Sequence, residues 1–152
     1  MAQLYILSEG LVGAPAERVY TVISDFHQHH PRFLPPSFSN LVVEEGGVGA
    51  GTVFSFTATA ARRTRHYRMR VDEPEPGRVM TESDLNSSMV TTWTVMPRGA
   101  TASLVHIETR WNGASGIKGF FERLFAPRAM RRIYADELGR LDRYARQQAA
   151  TA

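Results

Sequence analysis

The residues best suited to chemistry lie in one short segment: Asp25, His27, His29 and His30. Imidazole and carboxylate groups are good ligands for zinc or iron. Their spacing matches no established metal-binding motif, however, and the prolines that follow leave no regular element to hold the four groups. We therefore predict a solvated loop without a metal ion. In this loop His29 and Arg32 would line the mouth of a cavity, where a protonatable group touches the head group of a ligand.

A second cluster is the densest basic stretch of the chain: Arg62, Arg63, Arg65, Arg68 and Arg70. A basic run that contains an aromatic residue, here Tyr67, is typical of RNA-binding surfaces. Alternation along a strand, however, places Tyr67 on one face and both Arg68 and Arg70 on the other. We expect the two arginines on the solvent side, opposite Glu82 and Asp84 of the next strand. A charged sheet edge is therefore favoured, and no nucleic-acid partner is expected.

Other reactive motifs are missing. The glycine-rich segment 46–51 lacks the lysine and the following helix of a phosphate-binding loop, so we predict a turn that covers one end of a cavity. Ser24, Ser37 and Ser115 have no nucleophile-elbow motif around them. The chain has no cysteine, which excludes disulfides, thiolate metal sites and a cysteine nucleophile. We predict no catalytic residue and no cofactor.

The composition, 43% hydrophobic and 22% charged over 152 residues, is that of one globular domain. We expect a single domain over residues 1–148 and a flexible tail at 149–152. The formal charge of +3 is a weak indication of an anionic partner and fits transient membrane contact. No apolar run approaches the roughly 20 residues of a membrane span, and no signal peptide is visible. We expect a cytoplasmic protein that is monomeric or weakly homodimeric.

The elements that must position these groups follow from periodicity and turn residues. Residues 3–12 predict an opening strand, and Pro15 begins a helix of about two turns. Residues 25–36 are irregular, with at most one helical turn. From Ser39 to Trp111 the hydrophobic period is two, which predicts a meander of about six strands. Residues 116–148 have a helical composition, with two segments that meet at a break or kink at Pro127.

The last two strands and the final helix are expected to enclose the core. The apolar faces of the two strands align if the loop at residues 98–100 has an odd length. Both tryptophans, Trp93 and Trp111, then point to the inner side of the sheet. The helix is expected to grip that side with one apolar stripe, with Gly139 permitting close approach. The gripping residues are Met130, Tyr134, Leu138 and Leu141.

This order of elements resembles the helix-grip fold of the START-like (SRPBCC) superfamily, and most closely its polyketide cyclase/dehydrase and lipid transport branch. The segments that carry the resemblance are 14–20 (Ala-Pro-Ala-Glu-Arg-Val-Tyr) with Asp25, 46–52 (Gly-Gly-Val-Gly-Ala-Gly-Thr), 73–78 (Glu-Pro-Glu-Pro-Gly-Arg), Trp93 followed by Pro97 and Gly99, and 138–144. The fold expected is α+β: a curved antiparallel sheet of about seven strands around a long C-terminal helix, with a short helical excursion after the first strand.

The resemblance implies a cavity between sheet and helix that takes a lipid, sterol, isoprenoid or polyketide. In aromatase and cyclase relatives, polar cavity residues, often arginine and tyrosine, orient a poly-keto chain. Here Tyr67, Thr81 and Ser83 are the expected inward polar groups, whereas Arg68 and Arg70 fall on the opposite parity and depart from that pattern.

The predicted activity is binding of a small lipophilic ligand, as a carrier or binding protein. A polyketide cyclase or aromatase is the first alternative, in which Tyr67 and a histidine at the mouth give acid/base help. A protein- or RNA-interaction module is the second. The predicted ligand-binding residues are Phe33, Leu34, Phe54, Phe56, Tyr67, Met69, Thr81, Trp93, Val95, Val105, Ile107, Trp111, Met130 and Tyr134.

Overall fold

A computed structural model describes residues 3–60, 62–112 and 116–151. The strands are β1 (Gln3–Val12), β2 (Phe38–Glu45), β3 (Val53–Ala60), β4 (Arg63–Glu75), β5 (Val79–Asp84), β6 (Val90–Pro97) and β7 (Ser103–Asn112). The helices are α1 (Ala16–Ser24), a 3-10 turn (His30–Phe33) and α2 (Gly116–Thr151). Both the opening strand with its helix and the six-strand meander are therefore confirmed. Residues 149–151, assigned above to the tail, are helical, and Ser115 lies outside the described residues.

The seven strands form one antiparallel sheet in the order β1-β7-β6-β5-β4-β3-β2. The first strand of the chain pairs with the last, from Gln3 opposite Asn112 to Val12 opposite Ser103. The long helix α2 packs on the inner face, and the fold is the predicted α+β helix-grip arrangement. No helix in the described ranges is long and apolar enough to cross a membrane.

The inner face of β6 and β7 has the predicted register. Trp93 lies opposite Ile107 and Val95 lies opposite Val105, and all four side chains are buried. The connecting loop is odd, as expected, but five residues rather than three separate the paired Pro97 and Ser103. β-branched and aromatic side chains fill this face because they pack well on a pleated surface.

The parity predicted for β5 is wrong. Met80 and Glu82 are buried on the inner face, whereas Thr81 and Ser83 lie on the outer one. A register shift between Asp72 and Glu75 interrupts the pairing of β4 with β5, and a bulge of this kind leaves no clear sign in a sequence. Glu82 and Asp84 share one face of β5. Because carboxylates are usually exposed to solvent, the sequence predicted this face on the outside of the sheet.

The predicted charge ladder between β4 and β5 is absent for the same reason. Arg68 and Arg70 are exposed on the outer face, as expected. Arg68 pairs instead with Glu44 on β2 at 3.0 Å, and Arg70 pairs with Asp72 on its own strand at 3.5 Å. Exposed pairs of this type contribute little to stability.

The helix α2 is continuous through Pro127, where the sequence predicted a break or kink between two segments. A proline inside a helix costs about 3 kcal/mol, and the packing of the turns that follow offsets this. The buried stripe recurs every three to four residues, as expected for one helix face. It consists of Ile133, Tyr134, Glu137, Leu138, Leu141 and Ala145.

The close approach of helix and sheet occurs at Gly10 of β1 and not at Gly139. A Cβ on Gly10 would lie 3.4 Å from the Cβ of Leu138, whereas a Cβ on Gly139 would meet only the tip of Arg143, at 3.7 Å. The expectation for Gly139 was therefore wrong, because this residue faces away from the sheet.

We predict opposite effects for two neighbouring substitutions in α2. Leu138→Ala removes a buried side chain from the contact with β1 and should lower the free energy of unfolding by about 2 to 5 kcal/mol. Gly139→Ala should raise it by about 0.5 to 1 kcal/mol, because alanine favours the helix and has room here. Urea denaturation measures both values. A loss below about 0.5 kcal/mol for Leu138→Ala would contradict the packing described.

Candidate ligand cavity

A cavity of about 60 Å³ lies between the inner face of the sheet and α2. This volume accommodates about four to six water molecules. Its lining is mostly apolar and aromatic, with a small number of polar groups. The lining residues are His30, Leu34, Phe38, Leu41, Phe54, Phe56, Ala58, Tyr67, Met69, Glu82, Met89, Thr91, Trp93, Met130, Tyr134 and Glu137.

The structure places eight of the fourteen predicted ligand-binding residues at this cavity: Leu34, Phe54, Phe56, Tyr67, Met69, Trp93, Met130 and Tyr134. Four others are core residues that do not reach it: Phe33, Val95, Val105 and Ile107. Trp111 is half-buried beyond the cavity, so the expectation that both tryptophans face it is wrong. Thr81 lies on the outer face of β5.

One wall of the cavity is a continuous row of aromatic rings. The rings of Phe54 and Phe56 stack at 5.9 Å between centroids, and those of Phe56 and Tyr67 at 5.3 Å. Behind this wall, the core residue Phe26 stacks on Phe54 at 4.6 Å. Adjacent inner positions of β3 and β4 produce this row, because Phe54 lies opposite Met69 and Phe56 lies opposite Tyr67. The wall offers ring faces to whatever occupies the cavity.

Glu82 brings a carboxyl group into this apolar surface. Its side chain is buried, and Oε1 accepts a hydrogen bond of 2.5 Å from the indole N–H of Trp93. Burial raises the pKa of Glu82 to about 7, and the hydrogen bond from Trp93 opposes part of that rise. Glu82 is therefore divided between its acid and its carboxylate at neutral pH.

Glu137 brings a second carboxyl group from the helix side. The residue is only 2% exposed and lies in the middle of the apolar stripe of α2. Burial is the main cause that raises the pKa of Glu137 well above its ordinary value, and the nearby charges of Glu82 and Asp136 add to it. Burial therefore favours the protonated, neutral form of the Glu137 carboxyl group.

A chain of hydroxyl groups crosses from the sheet to the helix beside these acids. Thr91 and Thr109 are linked at 2.8 Å between their Oγ1 atoms, and Thr109 is linked to the Tyr134 hydroxyl at 2.6 Å. Burial raises the pKa of Tyr134, so the phenol stays protonated. The chain fixes the position of Tyr134 at the cavity.

His30 is the histidine that reaches the cavity. Its ring is 2% exposed, stacks on Phe26 at 4.3 Å and donates from Nδ1–H to the carbonyl of Ile23 at 2.7 Å. Burial lowers the pKa of His30 to about 4 despite that hydrogen bond. The imidazole is therefore neutral, with its proton on Nδ1 and a free lone pair on Nε2.

The other members of the candidate metal cluster have separate structural roles. The carboxylate of Asp25 accepts backbone N–H groups of His27 and Gln28, at 3.0 and 2.9 Å. His27 donates from Nε2 to the Gly46 carbonyl at 3.0 Å, and His29 bonds the Tyr144 hydroxyl at 2.6 Å. Within the described ranges no group of three potential metal ligands comes together. His29 contacts α2 and not the cavity, contrary to its predicted place at the mouth, and Arg32 is likewise absent from the lining.

The glycine-rich loop 46–51 does not line the cavity. It is fastened to the end of α1 instead, since the Gly47 carbonyl accepts the N–H of Phe26 at 2.8 Å and the Gly49 N–H donates to Ser24 at 2.9 Å. Gly47 has φ +148°, and a Cβ there would overlap the ring of His27. The loop thus holds the histidine segment in place and does not cover one end of the cavity, as the sequence had predicted it would.

Sequence reasoning missed the polar half of this site: His30 as a cavity residue, Thr91, Glu82 and Glu137. A signal was present for Glu137, because it falls four positions after Ile133 and four before Leu141, in phase with the buried stripe. Glu82 lies on the same face of β5 as Met80, but the sequence predicted that face on the solvent side of the sheet.

Comparisons with known proteins were consistent with one another in fold. A family model described as polyketide cyclase / dehydrase and lipid transport matches residues 9–146. The solution structure of the KanY protein is 38% identical, with a TM-score of 0.83, over 96% of this chain and 99% of that chain. A comparison with curated proteins gave no match.

Two more distant structures share the fold. The ZhuI aromatase/cyclase from Streptomyces sp. R1128 is 18% identical, with a TM-score of 0.81, over 97% of this chain and 96% of that chain. Norcoclaurine synthase from Thalictrum flavum, in complex with dopamine and hydroxybenzaldehyde, is 19% identical, with a TM-score of 0.72, over 96% of this chain and 88% of that chain.

Glu82→Gln should change how stability depends on pH. The raised pKa means that the folded protein binds more protons than the unfolded chain between about pH 4.5 and 7, so stability falls as the pH rises through that window. Glutamine still accepts from Trp93 but cannot ionise. The variant should match the parent near pH 4.5 and exceed its free energy of unfolding by up to about 3 kcal/mol near pH 8.

The control is Glu44→Gln on the outer face, which should differ from the parent by no more than about 1 kcal/mol at either pH. The lowered pKa of His30 makes stability rise with pH, which is the opposite effect. His30 is present in the parent and in both variants, so its contribution cancels when their free energies of unfolding are compared. A Glu82→Gln effect that does not vary with pH would contradict the burial of an ionisable Glu82.

Proposed function

Because the chain belongs to the polyketide cyclase/dehydrase and lipid transport family, we propose that it binds a small lipophilic molecule in the cavity between the sheet and α2. The observation that carries the proposal is the cavity itself: an aromatic wall opposed by a few buried polar groups from both the sheet and the helix. This combination is typical of ligand sites, in which apolar area supplies affinity and polar groups set orientation.

The binding energy would come mainly from the aromatic wall. Apolar surface removed from water contributes about 25 cal/mol per Å². Glu82, Tyr134 and Glu137 are placed to hold polar atoms of the ligand. A ligand larger than the cavity needs side-chain rearrangement, and Met89 and Met130, both half-buried in the lining, have the unbranched flexible side chains suited to this.

A second candidate function is acid/base catalysis of the cyclase or aromatase type. The observation in its favour is that Glu137, a carboxyl group whose pKa burial raises, and His30, an imidazole whose pKa burial lowers, line the same cavity. A positioned acid and base of this kind can protonate a carbonyl oxygen and remove a proton from a neighbouring carbon. Turnover of a poly-keto thioester that is lost in both His30→Phe and Glu137→Gln would support catalysis.

Native mass spectrometry of the freshly purified protein tests the proposed binding. A retained small molecule, released on denaturation, is the expected result, and its mass identifies the compound to be added back. The binding proposal fails if the protein carries no additional mass and neither stability nor fluorescence responds to a panel of fatty acids, sterols, isoprenoid quinones and aromatic polyketides.

Tryptophan fluorescence locates the bound ligand, because only one of the two tryptophans lines the cavity. Trp111→Phe retains Trp93, so its emission should change saturably with ligand, to the blue or by quenching. Trp93→Phe retains Trp111 and should lose most of that response. Titrations are kept below the concentration at which the ligand aggregates. An equal response in both variants would place the ligand outside the cavity.

A further inference from the structure

The cavity contains two carboxyl groups, and its lining includes neither lysine nor arginine among the residues that the structure describes. We propose that the ligand carries a protonated nitrogen, as in an apolar amine, and that this nitrogen lies between Glu82 and Glu137 against the aromatic wall. The inference rests on the proposed function and specifies the class of ligand.

The two carboxyl groups have no counter-charge among the described residues that line the cavity. A buried carboxylate is costly unless a cation or several hydrogen bonds compensate it. Glu82 has one donor, the Trp93 indole, for a group that can accept about four hydrogen bonds. Glu137 makes no hydrogen bond to any other side chain in the described part of the chain and is 2% exposed.

Six arginines of the described residues pair with carboxylates at the surface, and no member of these pairs lines the cavity. The pairs are Arg68–Glu44, Arg70–Asp72, Arg78–Glu75, Arg110–Glu108, Arg140–Asp136 and Arg146–Asp142. Two acids from different elements, β5 and α2, thus converge on one cavity whose described lining contains no lysine or arginine. A cationic group on the ligand supplies the charge that this arrangement lacks.

The aromatic rings of the cavity also favour a cationic ligand. The rings of Phe54, Phe56, Tyr67 and Trp93 line the same cavity. An aromatic face attracts a cation through the negative charge of its π-system, most strongly when the cation is removed from water. Ring faces together with carboxyl groups bind an ammonium better than either does alone.

Other ligand charges fit this surface less well. A ligand carboxylate would be repelled by Glu82 and would force both protein acids to remain protonated. A neutral alcohol would form ordinary hydrogen bonds but compensate no charge. The raised pKa values of both acids agree with this reading, since the empty pair retains protons that a bound cation would release.

Three probes of nearly equal shape test the inference: 2-phenylethylamine, 2-phenylethanol and 3-phenylpropanoate. Each is titrated into the whole protein at neutral pH, with binding measured by calorimetry and by the emission of Trp93. The amine should bind about tenfold tighter than the alcohol, because hydrogen bonds to a charged group are stronger than neutral ones. The carboxylate should bind most weakly.

Two variants and one matched control test whether the preference for the amine over the alcohol arises at the cavity. Glu82→Gln and Glu137→Gln keep the side-chain shape and should each reduce the ratio of amine to alcohol affinity. Glu44→Gln removes the same charge from the outer face of β2, where the side chain pairs with Arg68, and should leave the ratio unchanged. Thermal unfolding shows that each variant is folded, and the three-probe comparison on the parent protein depends on no variant.

The outcomes separate the inference from the proposed function. If the alcohol or the carboxylate binds as tightly as the amine, the inference is overturned while ligand binding stands. A preference for amine that survives in both glutamine variants also overturns it, because the nitrogen then lies elsewhere. If no probe and no compound from the lipophilic panel binds, the proposed function fails and the inference fails with it.

Discussion

A single apolar stripe on α2 has to cover the concave face of a seven-stranded sheet, and most of the architecture depends on that contact. The helix is tied closely to the N-terminal strand, where Gly10 lets the backbone of β1 approach Leu138. Toward β3 and β4 the same helix presents Met130 and Tyr134 at a distance from the sheet that leaves a cavity. Close packing at one side and a gap at the other result from one rigid helix crossing a curved surface.

Several polar groups at this cavity are positioned by hydrogen bonds to other protein groups. The sheet contributes Glu82, fixed by the Trp93 indole, and the hydroxyl chain from Thr91 to Tyr134 connects sheet to helix. The helix contributes Glu137 from within its apolar stripe. Burying two carboxyl groups works against folding, and buried ionisable groups of this kind concentrate at functional sites, in agreement with the ligand-binding role proposed above.

The fold was predictable because its signals are local and repeated. The alternation of apolar residues predicts strands β6 and β7. The proline before α1 predicts the start of that helix, and the helical period of the apolar residues predicts α2. The site was only half predictable. Its aromatic residues lie on strands with clean alternation, whereas Glu82 lies beyond a register shift near Asp72 that depends on pairing between strands. His30 was considered together with Asp25, His27 and His29 because the four residues are close in sequence. In the structure their environments differ, and His30 is distinguished by the packing of Phe26, Phe33 and Trp93 around its ring.

The pairing of the first strand with the last also sets the order in which the molecule can be completed during synthesis. β1 has no partner until residues 103–112 have left the ribosome, because its neighbour in the sheet is β7 alone. α2 follows later still, so the inner face of the meander, with Trp93 and Glu82, stays uncovered until α2 has been synthesised. Long-range pairing of this kind slows folding and exposes apolar surface in the meantime. The nascent chain therefore depends on the thirty-six residues of α2 to close the cavity, and a ribosome that stalls before them releases an open sheet.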